Sequence, residues 1–255
     1  MRILYVVPGP MGRTPEGRAE VARRGDLLQK YAAPGTETGI EDVPEGPASV
    51  ESMFEEYLSI PATARRMVEL ENEGWDALIL GCFGDPGLDA YRELLSIPVV
   101  GPGEASALLA ASLGHRFSII TITGSVIAPT ERQIRNVGVG EKLASVRAVE
   151  IPVLQLHSDR ARTIEAVIEE GRRAIEEDRA DSLILGCMTM GFLEVAEEVA
   201  PELEVPVINP ARASLKFAEA LVGAGLSHSR CAYMPPPKLA SGEVGSALDL
   251  LYAKV

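Results

Sequence analysis

The chain places a cysteine at the end of the same kind of apolar run twice. "ALILGCFGDPG" spans Ala77–Gly87 and "SLILGCMTMGF" spans Ser182–Phe192, so Cys82 and Cys187 stand 105 positions apart among only three cysteines. A thiol at a strand end is, taken alone, an ordinary small buried hydrophobe. Two at matching positions suit a particular reaction. One thiolate removes a proton from a stereocentre and the opposite thiol returns a proton to the other face, so the centre racemises without a cofactor. Near-attack contact puts each sulfur about 3–3.5 Å from the reacting carbon, hence the sulfurs roughly 6–7 Å apart and unbonded. Donor and acceptor exchange roles between the two directions, which favours two similar groups.

The flanking residues extend this reading. Asp85-Pro86 after Cys82 reads as the N-cap and first position of a helix, whose positive end would favour a thiolate. After Cys187, Thr189 is expected to cap the following helix or to offer its hydroxyl and amide to a substrate carbonyl. Backbone amides in both turns could hold the oxygen of an enolate as charge develops. Cys231 has no counterpart and is assigned a structural role. Asp85 is read as a cap rather than an acid, and Glu104 as a weak candidate only.

What must position these residues is an α/β framework. "RILYVV", "ALILGC", "IPVVG", "FSIITIT", "SVRAVEIPVLQL", "SLILGC" and "VPVIN" read as strands, apolar on both faces. Helical spacing marks Pro61–Glu73 with Ser59 as N-cap, Ala105–Leu113 and Arg160–Asp178. The alternation predicts parallel sheets. The duplication extends beyond the cysteines: "IPVVGPGEAS" corresponds to "VPVINPARAS", and "RILYVVPGPM" to "RFSIITITGS". Matching order and spacing predict two pseudo-symmetric, parallel-sheet halves facing a shared cleft. Residues 1–113 would form the first, 114–215 the second, and the tail 216–255 would pack back on the first. Ligands of open parallel sheets sit outside the carboxyl ends of the strands, so both cysteines would enter one cleft.

Several classes are excluded or disfavoured. A formal charge of −13 with no basic cluster makes nucleic acid an unexpected partner. No stretch approaches the roughly 18 apolar residues of a membrane helix, and "MRILYVVPGP" is too short for a secretory signal. The expectation is a cytoplasmic protein with reduced thiols and no membrane association. His115, His157 and His228 form no metal-ligand spacing with the cysteines, so no metal and no cofactor are expected. Neither a phosphate-binding glycine loop of the Walker type nor a G-x-S-x-G elbow is present.

"GCFGDPGLDAYRE" (Gly81–Glu93) resembles the first cysteine motif of the Asp/Glu/hydantoin racemase superfamily, in its hydantoin and allantoin racemase branch. "PVVGPGEAS", "LGHRFSIIT", "LASVRAVEIPVLQL" and "VPVINPARASLKFAEALVGAGL" are similar to that branch's later blocks, so the resemblance covers most of the chain. It implies two flavodoxin-like halves, no cofactor, and Cys82 and Cys187 as the acid/base pair. The chain departs from the branch in three places. An Asn-Pro-Asn-Ser/Thr turn is replaced by "VPGPMG" (Val7–Gly12). The small residues after the second cysteine are replaced by Met188 and Thr189. Thr121-Ile122-Thr123 stands where paired threonines are common.

The leading expectation is a cofactor-independent racemase of a cyclic ureide such as a 5-substituted hydantoin, whose C5 proton is acidified by the adjacent carbonyl. Gly9, Phe83, Gly84, Thr121, Thr123, Met188 and Thr189 are expected to line the substrate site. A small-molecule substrate is the expected partner, in a homo-oligomer, as is common among such folds. Alternatives are another reaction of the superfamily (aspartate or glutamate racemase, maleate isomerase, decarboxylase) or a non-catalytic two-lobed binder. Dicarboxylate racemases need cationic or amide anchors, and the turns offer few.

Overall fold

The computed structural model describes residues 1–237 of the 255. The chain opens with β1 (Arg2–Val7), α1 (Pro15–Tyr31), β2 (Glu37–Asp42) and α2 (Met53–Asn72). It continues through β3 (Ala77–Leu80), α3 (Leu88–Leu94), β4 (Val99–Val100) and α4 (Pro102–Leu113). The same plan then repeats: β5 (Phe117–Thr121), α5 (Ile127–Val137), β6 (Leu143–Ala148), α6 (Arg160–Glu176) and β7 (Ser182–Leu185). It closes with α7 (Met188–Phe192), α8 (Val195–Leu203), β8 (Val207–Ile208) and α9 (Pro210–Gly223). The first sheet has strand order β2-β1-β3-β4 and the second β6-β5-β7-β8, all pairs parallel. The expected α/β class with two parallel-sheet halves is what forms.

β3, β5 and β7 are buried throughout, and β1 from Ile3 on, because helices cover both faces of the central strands. The halves match hydrogen bond by hydrogen bond. Asp76 N–H donates to Arg2 O and Asp181 N–H to Arg116 O, both at 2.9 Å. The Arg2 and Arg116 amides answer by donating to the Asp76 and Asp181 carboxylates at 2.7 and 3.1 Å. Gly81 N–H donates to Val6 O at 2.8 Å, and Gly186 N–H to Ile120 O at 2.7 Å. Glycine is required at both positions by close approach. A Cβ on Gly81 would lie 2.5 Å from the Val6 carbonyl oxygen, and one on Gly186 would lie 2.8 Å from Ile119 Cγ2.

The halves exchange helices. α9 follows the second sheet but lays Ala211, Leu215 and Ala218 against Ile3, Tyr5 and Ile79 of the first. α4 follows the first sheet but packs Ala107 and Ala110 against Phe117, Ile119 and Ile184 of the second. α4 and α9 also pack on one another. After α9, Ser227, His228, Arg230 and Tyr233 hydrogen-bond to the first half, at Ser96, Val99, Arg92 and nearby carbonyls. The expected terminal helix of the tail lies mostly outside the described residues.

Two local expectations are corrected. The second helix starts at Met53, not Pro61, because Ser52 caps it: Ser52 Oγ accepts from Glu55 N–H, and Glu55 accepts from Ser52 Oγ and the Glu51 amide. Pro61 is tolerated inside it where the carbonyl it orphans belongs to exposed Tyr57. The strand read through Leu156 stops at Ala148, since Pro152 withdraws a ladder donor and Val153–Gln155 forms a 3-10 turn.

Candidate active site

Each cysteine stands two residues past the end of its strand, directly after the anchoring glycine, and both line one cleft at the carboxyl ends of the two sheets. Val7, Pro8 and Gly9 after β1, Pro47–Val50 after β2, and Gly81–Gly84 after β3 line its first-half side. Thr121 and Ile122 after β5, Val153, and Gly186–Thr189 after β7 line the other. The cavity holds about 110 Å³. Cys82 keeps part of its surface open to it, whereas Cys187 is 7 % exposed; neither is in a disulfide.

Of the residues expected in the site, Gly9, Phe83, Gly84, Thr121, Met188 and Thr189 line the cleft with the two cysteines. Thr123 does not. Its Oγ1 pairs with Ser125 Oγ at 2.8 Å, and Ser125 Oγ donates to Glu51 O at 2.7 Å. The Glu51 carboxylate in turn accepts from Val153 N–H at 2.8 Å. Thr123 therefore belongs to a clamp that fastens the 47–51 loop of one half to the other half. Thr121 is buried and donates to Gly186 O at 3.4 Å, bracing the turn that carries Cys187.

Asp85 is a cap, but of a different helix from the one expected. It stands in the left-handed region (φ 52°), and α3 begins only at Leu88 behind Gly87. The Asp85 carboxylate instead accepts from Gly103 and Glu104 N–H at 3.0 and 2.8 Å, capping α4, and from Gln133 Nε2 at 2.9 Å. Burial outweighs these donors and pushes its carboxyl up to about 7. In the second half Asn209 does the equivalent work: its Oδ1 accepts from Ala211 and Arg212 N–H at the start of α9, and its Nδ2 donates to Gly191 O. In both halves the turn after the cysteine is thus pinned to the N-terminus of the exchanged helix. Glu104 pairs with Arg92 beside a neighbouring groove and does not line the cleft. Cys231 is exposed and outside it.

The electrostatics of the two thiols differ from the expectation of a helix-stabilised thiolate at Cys82. Burial pushes both thiols up. At Cys82 the Gly84 amide pulls downward, while Glu56, Asp85 and Cys187 itself add to the rise. At Cys187 the amides of Met190 and Thr189, the Thr189 hydroxyl and the Arg24 guanidinium all favour the charged form.

Two charged residues of the cleft were not legible in the sequence. Glu56 on α2 sits against Gly84, and burial raises its carboxyl to about 7. Arg24 on α1 is 5 % exposed. Its Nε donates to Glu20 Oε1 at 2.8 Å and its Nη2 to Thr189 Oγ1 at 3.2 Å. The Thr189 hydroxyl therefore links a buried cation to Cys187. The signal available was charge density on α1 and at the start of α2, which resembles any solvated helix face.

With the geometry described, the relatives can be placed. The family model for Asp/Glu/hydantoin racemase matches residues 22–218. A hydantoin racemase of Pseudomonas sp. (strain NS671) is 40 % identical over 72 % of this chain and 74 % of its own. A hydantoin racemase of Paenarthrobacter aurescens is 34 % identical over 92 % of this chain and 98 % of its own. Among solved structures, an allantoin racemase from Pseudomonas fluorescens superposes with a TM-score of 0.85 at 33 % identity, over 92 % of this chain and 97 % of that one. The chain belongs to the Asp/Glu/hydantoin racemase family and is an isomerase of the racemase type.

Proposed function

We propose that the protein racemises a cyclic ureide, such as a 5-substituted hydantoin, by proton transfer between Cys82 and Cys187. The observation that carries this reading is the symmetry of the two Gly-Cys turns: equivalent strand ends, hung on equivalent carbonyls, present one thiol each to a single cleft. A planar ring with an acidified C–H fits between two such groups. The thiolate on one side takes the C5 proton, forming S–H, and the C–H electrons move into an enolate. The thiol on the other side then gives its proton to the opposite face and becomes the thiolate. Atoms and charge balance over the turnover, and the two sulfurs have exchanged protonation states.

Burial raises both thiols, but the donors around Cys187 oppose that rise, which supports Cys187 as the thiol that ionises first. The relatives support the substrate class: hydantoin racemases at 34–40 % identity and the allantoin racemase structure are named for ureides.

The test is optical rotation of single enantiomers of 5-substituted hydantoins, allantoin, aspartate and glutamate, followed with the protein in D₂O. Decay of rotation with deuterium at the stereocentre for the ureides alone is the expected result. Rotation held for every ureide while an amino acid racemises would overturn the substrate class.

A further inference from the structure

Arg24 is a buried cation whose charge the protein does not fully match. Arg23 Nε and Nη2 donate to Glu20 at 2.8 and 2.7 Å, and Arg24 Nε donates to the same carboxylate at 2.8 Å. Two guanidinium groups therefore share one carboxylate, leaving a net positive charge of one. Arg23 turns its remaining nitrogen away, donating to Phe192 O at 2.9 Å. Arg24 turns into the cleft, held by Thr189 Oγ1 and by the Phe192 ring, 4.9 Å from its central carbon. Among the described residues no acceptor takes its Nη1. Buried guanidinium groups are ordinarily paired through their full fork, because desolvating the charge is costly.

The opposite wall carries the complementary restriction. Beside Cys82 stands Glu56, whose carboxyl burial raises to about 7 against the pull of Arg132, so this wall offers a substrate carboxylate no cationic partner of its own. The largely apolar cleft is therefore asymmetric in charge: a cation on the Cys187 side, a carboxyl on the Cys82 side.

Building on the ureide reading above, we propose that Arg24 anchors a carboxylate carried by the substrate. The substrate class is then a ureide ring with an acidic side arm, the arm directed to α1 and the C–H held between the thiols. A guanidinium presents parallel N–H donors that match a carboxylate. Thr189 is a positioning residue: it fixes the Arg24 rotamer through Nη2 and leaves Nη1 for the ligand.

The experiment is calorimetric titration of the intact protein with racemic 5-(carboxymethyl)hydantoin and its carboxamide analogue. Racemic ligands show no net turnover, so binding is read alone. The parent is expected to bind the carboxylate at least about tenfold more tightly than the carboxamide, as a charge-assisted hydrogen bond gives. Arg24→Gln removes that ratio, Arg24→Lys keeps part of it, and Thr189→Val lowers it. A parent with no carboxylate preference, or a preference that survives Arg24→Gln, overturns the proposal. Should Arg24→Gln fail to fold, Arg24→Lys and the parent ratio decide the matter. The two readings separate by outcome. With racemisation read separately from the optical rotation of one enantiomer of each compound, tight Arg24-dependent carboxylate binding without racemisation of either upholds the anchor and sinks the ureide racemase. Equal binding and racemisation of both compounds sinks the anchor alone, and binding of neither sinks both.

Discussion

Burial is the dominant influence on Cys82 and Cys187, and under the proposed two-thiol reaction it sets the pH behaviour. Proton abstraction needs a thiolate, and desolvation holds both thiols above the ordinary range. Raising the pH populates the base, so kcat/KM should climb through the alkaline range; a profile that falls above neutrality would contradict this. Cys231→Ala should leave the rate unchanged, since that thiol is exposed and outside the cleft. The cysteine pair was legible in the sequence because "LILGC" is repeated and a strand-end glycine-cysteine has few uses. Arg24 was not, because nothing in "EVARRGD" separates the arginine that turns inward from its neighbour. Asp85 was half legible: an Asp-Pro pair announces a cap, but only the fold brings α4, eighteen residues on, to its carboxylate.

At the scale of elements, the glycine before each cysteine ties the cysteine-bearing turn to its neighbouring strand. Gly186→Ala forces a Cβ against Ile119 and Thr121 and should cost about 1–3 kcal/mol in denaturant unfolding, with a loss of activity from the displaced Cys187 turn. The tail segment supplies a pH-dependent contact. His228 Nε2 accepts from Val99 N–H at 2.7 Å, which requires neutral imidazole, and burial lowers its pKa from 6.5 to about 4. The unfolded chain then binds the extra proton between these values. This contribution to stability is full above about pH 6.5 and is lost as pH falls toward 4. Comparing thermal unfolding of the parent and His228→Gln across that window checks it: the variant should show the shallower dependence. β2 was missed in the sequence because "ETGIED" is polar and lies at a sheet edge, half-exposed, where apolar patterning is weak. The start of α2 was missed because Ser59-Ile60-Pro61 imitates a helix start, while the working cap is Ser52.

For the whole molecule, the exchanged helices bind the two halves into one cooperative unit. Leu215 sits in the core of the first sheet although it follows the second. Leu215→Ala should therefore cost about 2–5 kcal/mol and lower the stability of both sheets together. Trp75, the single tryptophan, reports on the first half alone. Its fluorescence transition in denaturant should coincide with the far-ultraviolet dichroism of the whole chain, and separate midpoints would show the halves unfolding independently. The duplication was legible from three matched segments, but the exchange was not. "GPGEAS" and "NPARAS" look like the continuation of their own halves, and only packing reveals that each helix covers the other sheet.

The two-thiol account is tested most directly by racemisation rates of Cys82→Ala and Cys187→Ala on one hydantoin enantiomer, beside the parent. Both variants should keep the fold and lose at least about 100-fold in rate, since each removes the proton donor or acceptor on one face. Racemisation near the parent rate in either variant would contradict the account.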